Sequence, residues 1–239
     1  MMRTYKIPLT MQKAILTIAF DDGYLDTYKY GVSYLNRFSI KSTFAVPVGL
    51  IGASCERRPV LKWTHLRKIK ADGHDIASHS FYHSRTTTEL EITRSKQMLE
   101  RKLKTKISSF VYPYISKLPK KCICDAVKHN YDSSRISKNM PVFNKVPIKN
   151  PYNVKGFCVM GKYSLPFLAK QVERAIKEKL WLIEVFHLVG KKNTKSVHRD
   201  RHYRFFMGVA DFKKHVDFIL SKKIKIMTQA EIIKRYGIT

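Results

Sequence analysis

The chain has 239 residues, 44% of them hydrophobic and 12% aromatic, enough to bury a full core and too apolar for a disordered segment. Its 46 Lys plus Arg against 18 Asp plus Glu give a formal charge of +28, spread along the sequence instead of gathered in a tail, which suits an anionic partner such as a glycan, nucleic acid or membrane surface. No apolar stretch reaches the roughly 18 residues of a spanning helix, and Cys55, Cys122, Cys124 and Cys158 fit neither a disulfide framework nor a zinc ribbon.

In chain order, ILTIAF (15–20) is a short β-branched and aromatic run that predicts a buried strand. Residues 24–38 place Leu25, Tyr28, Val32, Leu35 and Phe38 at helical spacing, and STFAVPVG (42–49) predicts a strand stopped by Pro47 and Gly49. WTHLRKIKADG (63–73) predicts a short helix capped at Thr64 and ended by a glycine, followed by the strand HDIASH (74–79). A long amphipathic helix over 87–105 opens on the capping-box pattern TTTE. SFVYPY (109–114) predicts a strand ending at Pro113, and LPKKCICDAVKHN (118–130) a helix with proline at its start.

Across 131–163, Pro141, Pro147 and Pro151 separate short β-like pieces such as PVFNKVPI. A helix over 164–179, a strand in KLWLIEVFHLVG (179–190) and a basic loop over 190–204 follow. A helix over 209–222, the strand KIKIMT and a last helix over 228–236 complete the pattern. Such alternation implies an α/β fold with a parallel sheet wrapped by helices, and about seven strand candidates point to a barrel. No repeat or linker divides the sequence, so residues 1–239 are read as one domain. The N-terminus runs into acids without a small-residue cleavage site, which sets a soluble, cytoplasmic location as the expectation.

In folds of this class the reactive groups stand at the carboxyl ends of the strands. Those ends carry Asp21 and Asp22, then His79 and His83, then Tyr112, Pro113 and Tyr114, then His187. His79 and His83 are four residues apart, a spacing that can aim two imidazoles at one point, and with a carboxylate they make a three-ligand metal site open to water and substrate. Of two adjacent acids after a strand, one can ligate a metal while the other accepts a proton, which is the equipment of a hydrolase. His74 opens its strand and so belongs to the opposite end, in a structural role. His198 and His202 fall in the basic loop, and Trp63, Tyr82 and Tyr163 are candidates for stacking on sugar rings.

The strand plus FDDG, the run GHDIASHSFYH, the strand ending YPY and the late strand ending FHLVG occur in this order over residues 15–190. Together they resemble the polysaccharide deacetylases, the NodB-homology carbohydrate esterases of family 4. The resemblance implies a single-domain deformed (β/α)7-type barrel with parallel strands and a metal-dependent hydrolase. Its substrates would be N-acetylhexosamine-containing glycans of the chitin, peptidoglycan or poly-N-acetylglucosamine kind. It also implies a divalent metal, Zn²⁺ first, with Co²⁺, Ni²⁺ or Mn²⁺ as alternatives. Carried over by residue, Asp21 is the general base, Asp22, His79 and His83 hold the metal and its water, and His187 is the general acid. Backbone at Pro113 and Tyr114 serves the oxyanion and substrate. The family's Asp-containing fourth motif has no counterpart here; YDSSR (131–135) occupies that region, and Arg135 in it is a candidate to hold or orient Asp21.

The sequence departs from the family pattern around YPY: Ser108, Ser109, Phe110 and Val111 precede Tyr112 where many members carry an arginine, and Ile115 follows Tyr114 in place of a glycine. Other readings stay open beside this one. An inactive barrel binding an anionic polymer or nucleic acid fits the charge, but a binder has no need of base, ligands and acid together. An O-acetyl esterase on the same fold uses the same residues. A two-His-one-carboxylate Fe(II) oxygenase shares the ligand types but leaves Asp21 and His187 without roles.

Overall fold

The computed structural model describes residues 13–114, 119–191 and 204–237. Seven parallel strands form a closed barrel: β1 (Ile15–Phe20), β2 (Thr43–Val46), β3 (Asp75–Ser78), β4 (Ser109–Val111), β5 (Ser133–Lys138), β6 (Val154–Cys158) and β7 (Trp181–Phe186). Closure comes from β1 pairing with β7 along its whole length, Ile15 with Trp181 through Phe20 with Phe186.

Period-2 alternation sorts each strand into two faces. Leu16, Ile18 and Phe20 pack outward with Leu182 and Phe186 against helical residues such as Leu35, Leu99, Leu168 and Phe212. Ile15 and Ala19 join Val154, Trp181, Ile183 and Val185 in an inner cluster. Two polar side chains inside pair with each other and the backbone: Trp181 Nε1 donates to Thr17 Oγ1 at 2.9 Å, and Thr17 Oγ1 donates to Met227 O at 2.7 Å. The last helix, Gln229–Tyr236, lies under the amino-terminal end of the barrel, where the Gln229 N–H donates to Thr43 Oγ1 and its side chain reaches Ser133.

Seven was the expected strand number, but two of the seven are different segments. PVFNKVPI forms only isolated bridges, Asn144 to Trp181 and Ile148 to Gly237, while β5 and β6 come from SSRISK and VKGFC. Neither has the apolar run that marks a strand, because the inward positions of β5 carry Ser133, Arg135 and Ser137. KIKIMT contributes only Lys225–Ile226, paired to the start of β1 beside the closed ring.

Smaller differences have local causes. The helix over 24–38 consists of Leu25–Thr27, a wide π turn at Tyr28–Val32, and Ser33–Asn36. In that turn a Cβ on Gly31 would press on the Phe20 ring at 3.1 Å. Helix Trp63–Ala71 is capped at Lys62, not Thr64, with His65 Nδ1 accepting the Lys62 N–H at 3.0 Å. Helix Glu89–Leu103 uses the second of two available boxes, Thr88 with Glu91. Between β2 and β3 lies a hairpin that the sequence pattern did not indicate, Ser54–Cys55 against Arg58–Pro59. Among the described residues no helix is long and apolar enough to cross a membrane.

Candidate active site

Strand β1 ends at Phe20, and the two acids after it diverge. The Asp21 N–H continues the ladder, donating to Phe186 O at 3.0 Å. Asp22 then takes φ 68° and Gly23 φ 66°, a left-handed pair that turns the chain sharply. Burial leaves Asp21 2% and Asp22 4% exposed, so both carboxyls depend on protein partners.

The two histidines arrive from the loop after β3. His79 Nδ1 lies 2.8 Å from Val111 O, which requires a proton on Nδ1 and leaves the Nε2 lone pair free. Ser80 and His83 both have positive φ, 62° and 56°, and the His83 N–H donates to Ser80 Oγ at 3.1 Å. This tight loop folds the His83 ring back to 4.8 Å from that of His79.

Asp22 Oδ1 stands 3.0 Å from His83 Nε2 and 3.4 Å from His79 Nε2. Close as they are, that buried oxygen has no aligned hydrogen-bond partner among the described residues. The three potential ligand atoms, one from each residue, all lie within 4.8 Å of one another. Two imidazole nitrogens and one carboxylate oxygen fit a divalent cation of the zinc type with coordination positions to spare. Burial by itself raises the Asp22 carboxyl, but the His83 and His79 imidazoles outweigh it and hold Asp22 well below the usual carboxylate range. The reciprocal effect on His83 is against burial too: the Asp22 charge lifts the imidazole to about 10.

Asp21 is held separately. Arg135 Nη2 donates to Asp21 Oδ1 at 2.6 Å, and Arg135 Nη1 donates to Ser137 Oγ at 2.7 Å. Arg135 rises inside the barrel from β5 and is wholly buried. It passes over Gly156 of β6, where a Cβ would stand 3.0 Å from Nη1 and 2.7 Å from Val185 Cγ2. Cys158 is also in this neighbourhood, its thiol pushed up to about 12 by burial first and by the Asp21 charge second.

His187 follows β7. Its carbonyl accepts from Thr27 Oγ1 at 3.0 Å, and its ring packs 4.5 Å from that of Phe205. The ring as a whole is half-buried, but Nδ1 is fully buried and has no hydrogen-bond partner among the described residues. Burial lowers its pKa from the ordinary imidazole value, opposed by the Asp22 and Asp21 charges.

Pro113 is buried and Tyr114 half-exposed with φ 54°, its ring 4.4 Å from the His83 ring. The rim thus holds four non-glycine residues with left-handed backbone, Asp22, Ser80, His83 and Tyr114, and such outliers gather where structure is held against its preference. Sequence reasoning missed Cys55 and Glu56 of the hairpin, Ser137 and Cys158, since none belongs to a pattern with a chemical signature. Of the other residues singled out, Tyr82 is exposed beside a groove lined by Phe81, Leu90 and Arg94. Tyr163 stacks on Phe167, and Trp63 packs on the core. His198 and His202 lie outside the described residues.

Comparison with known proteins bears on the family and the fold. A family model described as polysaccharide deacetylase matches residues 9–133. No match was found among curated proteins. A putative polysaccharide deacetylase from Mycobacterium smegmatis is similar in structure with TM-score 0.63 and 12% identity, over 96% of this chain and 92% of that one. The chitin deacetylase of the fungal pathogen Colletotrichum lindemuthianum is similar with TM-score 0.58 and 16% identity, over 93% and 88%. A peptidoglycan N-acetylglucosamine deacetylase, Bc1960, gives TM-score 0.59 and 14% identity, over 92% and 88%.

Proposed function

Because the chain belongs to the polysaccharide deacetylase family, hydrolases that remove acetyl groups from polysaccharides, we propose that it acts on an N-acetylhexosamine-containing glycan of chitin, peptidoglycan or poly-N-acetylglucosamine type. The observation that carries this reading is the Asp22, His79 and His83 cluster with a second carboxylate, Asp21, one residue away on a partner of its own. A divalent cation held by those three residues, with Zn²⁺ expected ahead of Co²⁺, Ni²⁺ or Mn²⁺, would polarise the acetyl carbonyl and acidify water for attack at neutral pH.

The other roles fall to the chain itself. Asp21 takes the proton of the attacking water, and Arg135, by fixing Oδ1, presents Oδ2 as the acceptor. The Tyr114 N–H, next to the buried Pro113, donates to the developing oxyanion. His187 protonates the departing amine, which leaves poorly as an anion. Burial depresses His187 below the ordinary imidazole value, so the proton it passes to the amine is the one Asp21 has taken from the attacking water, which returns Asp21 to its carboxylate form. The +28 charge favours an acidic glycan over a neutral one.

One observation favours an O-acetyl ester as the alternative substrate. His187 Nδ1 has no partner among the described residues to support an imidazolium, and an alkoxide leaving group asks less of the acid than an amine does. Acetate release from chitin oligomers, peptidoglycan fragments, acetylated xylan and short anionic glycans, with and without chelator, tests both readings. Chelator-sensitive release from N-acetylated sugars supports the first, and release from acetylated xylan alone supports the second. No release from any of them refutes the enzymatic assignment.

A further inference from the structure

Glu56 has no part in the chemistry above, yet two loops of the site converge on its carboxylate. Tyr24 Oη donates to Oε2 at 3.0 Å and Tyr114 Oη donates to Oε1 at 2.7 Å. Tyr24 directly follows the Asp22–Gly23 turn and Tyr114 directly follows Pro113, so one side chain ties the loop after β1 to the loop after β4. The neighbouring Cys55 places Sγ 3.9 Å from His83 Nδ1, on the imidazole whose ring lies 4.4 Å from that of Tyr114. The Arg85 guanidinium carbon, 4.6 Å from the centre of the Tyr114 ring, adds a second constraint on that ring.

The backbone that delivers these groups is held against its preference at both ends. Glu56 and Arg57 centre the hairpin turn with φ 51° and 63°, where Asn-Gly is the usual pair. Tyr114 is left-handed as well, at φ 54°. The hairpin is also fastened to the metal-ligand turn itself, with Tyr24 bridged to Val60 and the Leu61 N–H donating to Gly23 O at 3.0 Å. A turn built from two residues ill-suited to it, ending in a carboxylate shared by two tyrosines of the rim, is the arrangement expected of a fixed support.

We propose that Glu56 is a positioning residue for deacetylation: by accepting both tyrosine hydroxyls it holds the Pro113–Tyr114 turn against His83 and so sets where the Tyr114 N–H meets the oxyanion. This rests on the functional reading above and adds a residue outside the reacting groups. A displacement of about 1 Å at such a donor is enough to cost about 100-fold in rate, while the hydroxyls themselves touch no reacting atom.

The test compares Glu56→Ala, Tyr114→Phe and the double variant. Each single change is expected to lower kcat about tenfold or more with KM within about twofold, the mark of an interaction used in the transition state. The double variant should be no slower than Glu56→Ala, because both changes cut the same link. Independently of turnover, the His83 imidazole proton resonances, which lie in the ring current of Tyr114, should move in all three proteins. If Glu56→Ala does not purify folded, Glu56→Gln, which keeps one acceptor oxygen, replaces it beside Tyr114→Phe.

Unchanged kcat, or effects that multiply in the double variant, would overturn the positioning role. If the parent protein releases no acetate from any glycan, the functional reading fails by itself. The His83 resonances then decide the support role alone: moved, it stands; unmoved, it falls.

Discussion

Arg135 Nη2 donates to Asp21 Oδ1 at 2.6 Å, with the two side chains 0% and 2% exposed. A pair so placed is worth little against an apolar replacement of both partners but costs heavily when only one is removed, because the other is left charged and dry. Arg135→Met should therefore lower stability by about 3–5 kcal/mol, and combining it with Asp21→Asn should recover part of that loss. Urea midpoints of the two variants and the parent check this. If the double variant is less stable than Arg135→Met alone, the pair is not the source of the cost.

Gly156 tests the same support from the other side. An alanine methyl there meets Val185 Cγ2 at 2.7 Å and Arg135 Nη1 at 3.0 Å, in two fully buried neighbours that have no space to yield. Gly156→Ala is expected to cost about 1–3 kcal/mol as overpacking. It should also slow acetate release more than the stability loss explains, by tilting the guanidinium that donates to Asp21 Oδ1. An equal slowing by a distant variant of the same stability would remove the link to Arg135.

The metal site predicts a proton count. Asp22→Ala, His79→Ala and His83→Ala should each abolish stoichiometric Zn²⁺ binding, while chelation followed by added Zn²⁺ should remove and restore activity. In the metal-free protein His83 is held protonated, its pKa raised to about 10 by Asp22. A cation must displace that proton, so affinity rises with pH up to that value. Titration calorimetry in two buffers of different ionisation enthalpy reads the release directly. Binding at pH 7 without proton release would show that His83 is not a ligand.

His187 as acid predicts a difference between substrates. An amine leaving group needs a proton, whereas the nitrophenolate of p-nitrophenyl acetate does not. His187→Ala should lower kcat on N-acetylated oligosaccharides by about 100-fold or more and on the activated ester by far less. Equal losses on both would make His187 a structural or binding residue.

Much of this site was legible in the sequence because its parts sit at strand ends that announce themselves. FDDG follows an apolar run, HSFYH follows another, and His187 closes a third. Arg135 could be named but not its strand, since β5 is lined with serines and an arginine, polar residues that read as a loop when the barrel around them is not seen. Glu56 was invisible for a related reason: its role is made by Tyr24 and Tyr114, 32 and 58 residues away, and by a turn whose residues give no turn signal.

His74 carries the last prediction, at the end of the barrel away from the chemistry. Its Nδ1 accepts the Ser42 N–H at 3.0 Å, and its Nε2 lies 2.9 Å from Asn36 Oδ1, so the ring fits only as the neutral tautomer with the proton on Nε2. Burial, with the Lys41 charge second, lowers its pKa from 6.5 to about 4. Above pH 6.5 folded and unfolded forms are both neutral and the full stability is present. Below it the unfolded chain gains a proton that the folded chain refuses until about pH 4, so stability falls through that window, by up to about 1.4 kcal/mol per pH unit. The neighbouring Asp75, raised to about 6 by burial, contributes a slope of opposite sign, which makes the comparison between variants the informative one. His74→Asn keeps an acceptor for the Ser42 N–H but cannot titrate. It should be less stable than the parent at pH 7 and lose less between pH 6.5 and 4, as read from urea midpoints. Parallel losses in the two proteins would place the acid sensitivity elsewhere.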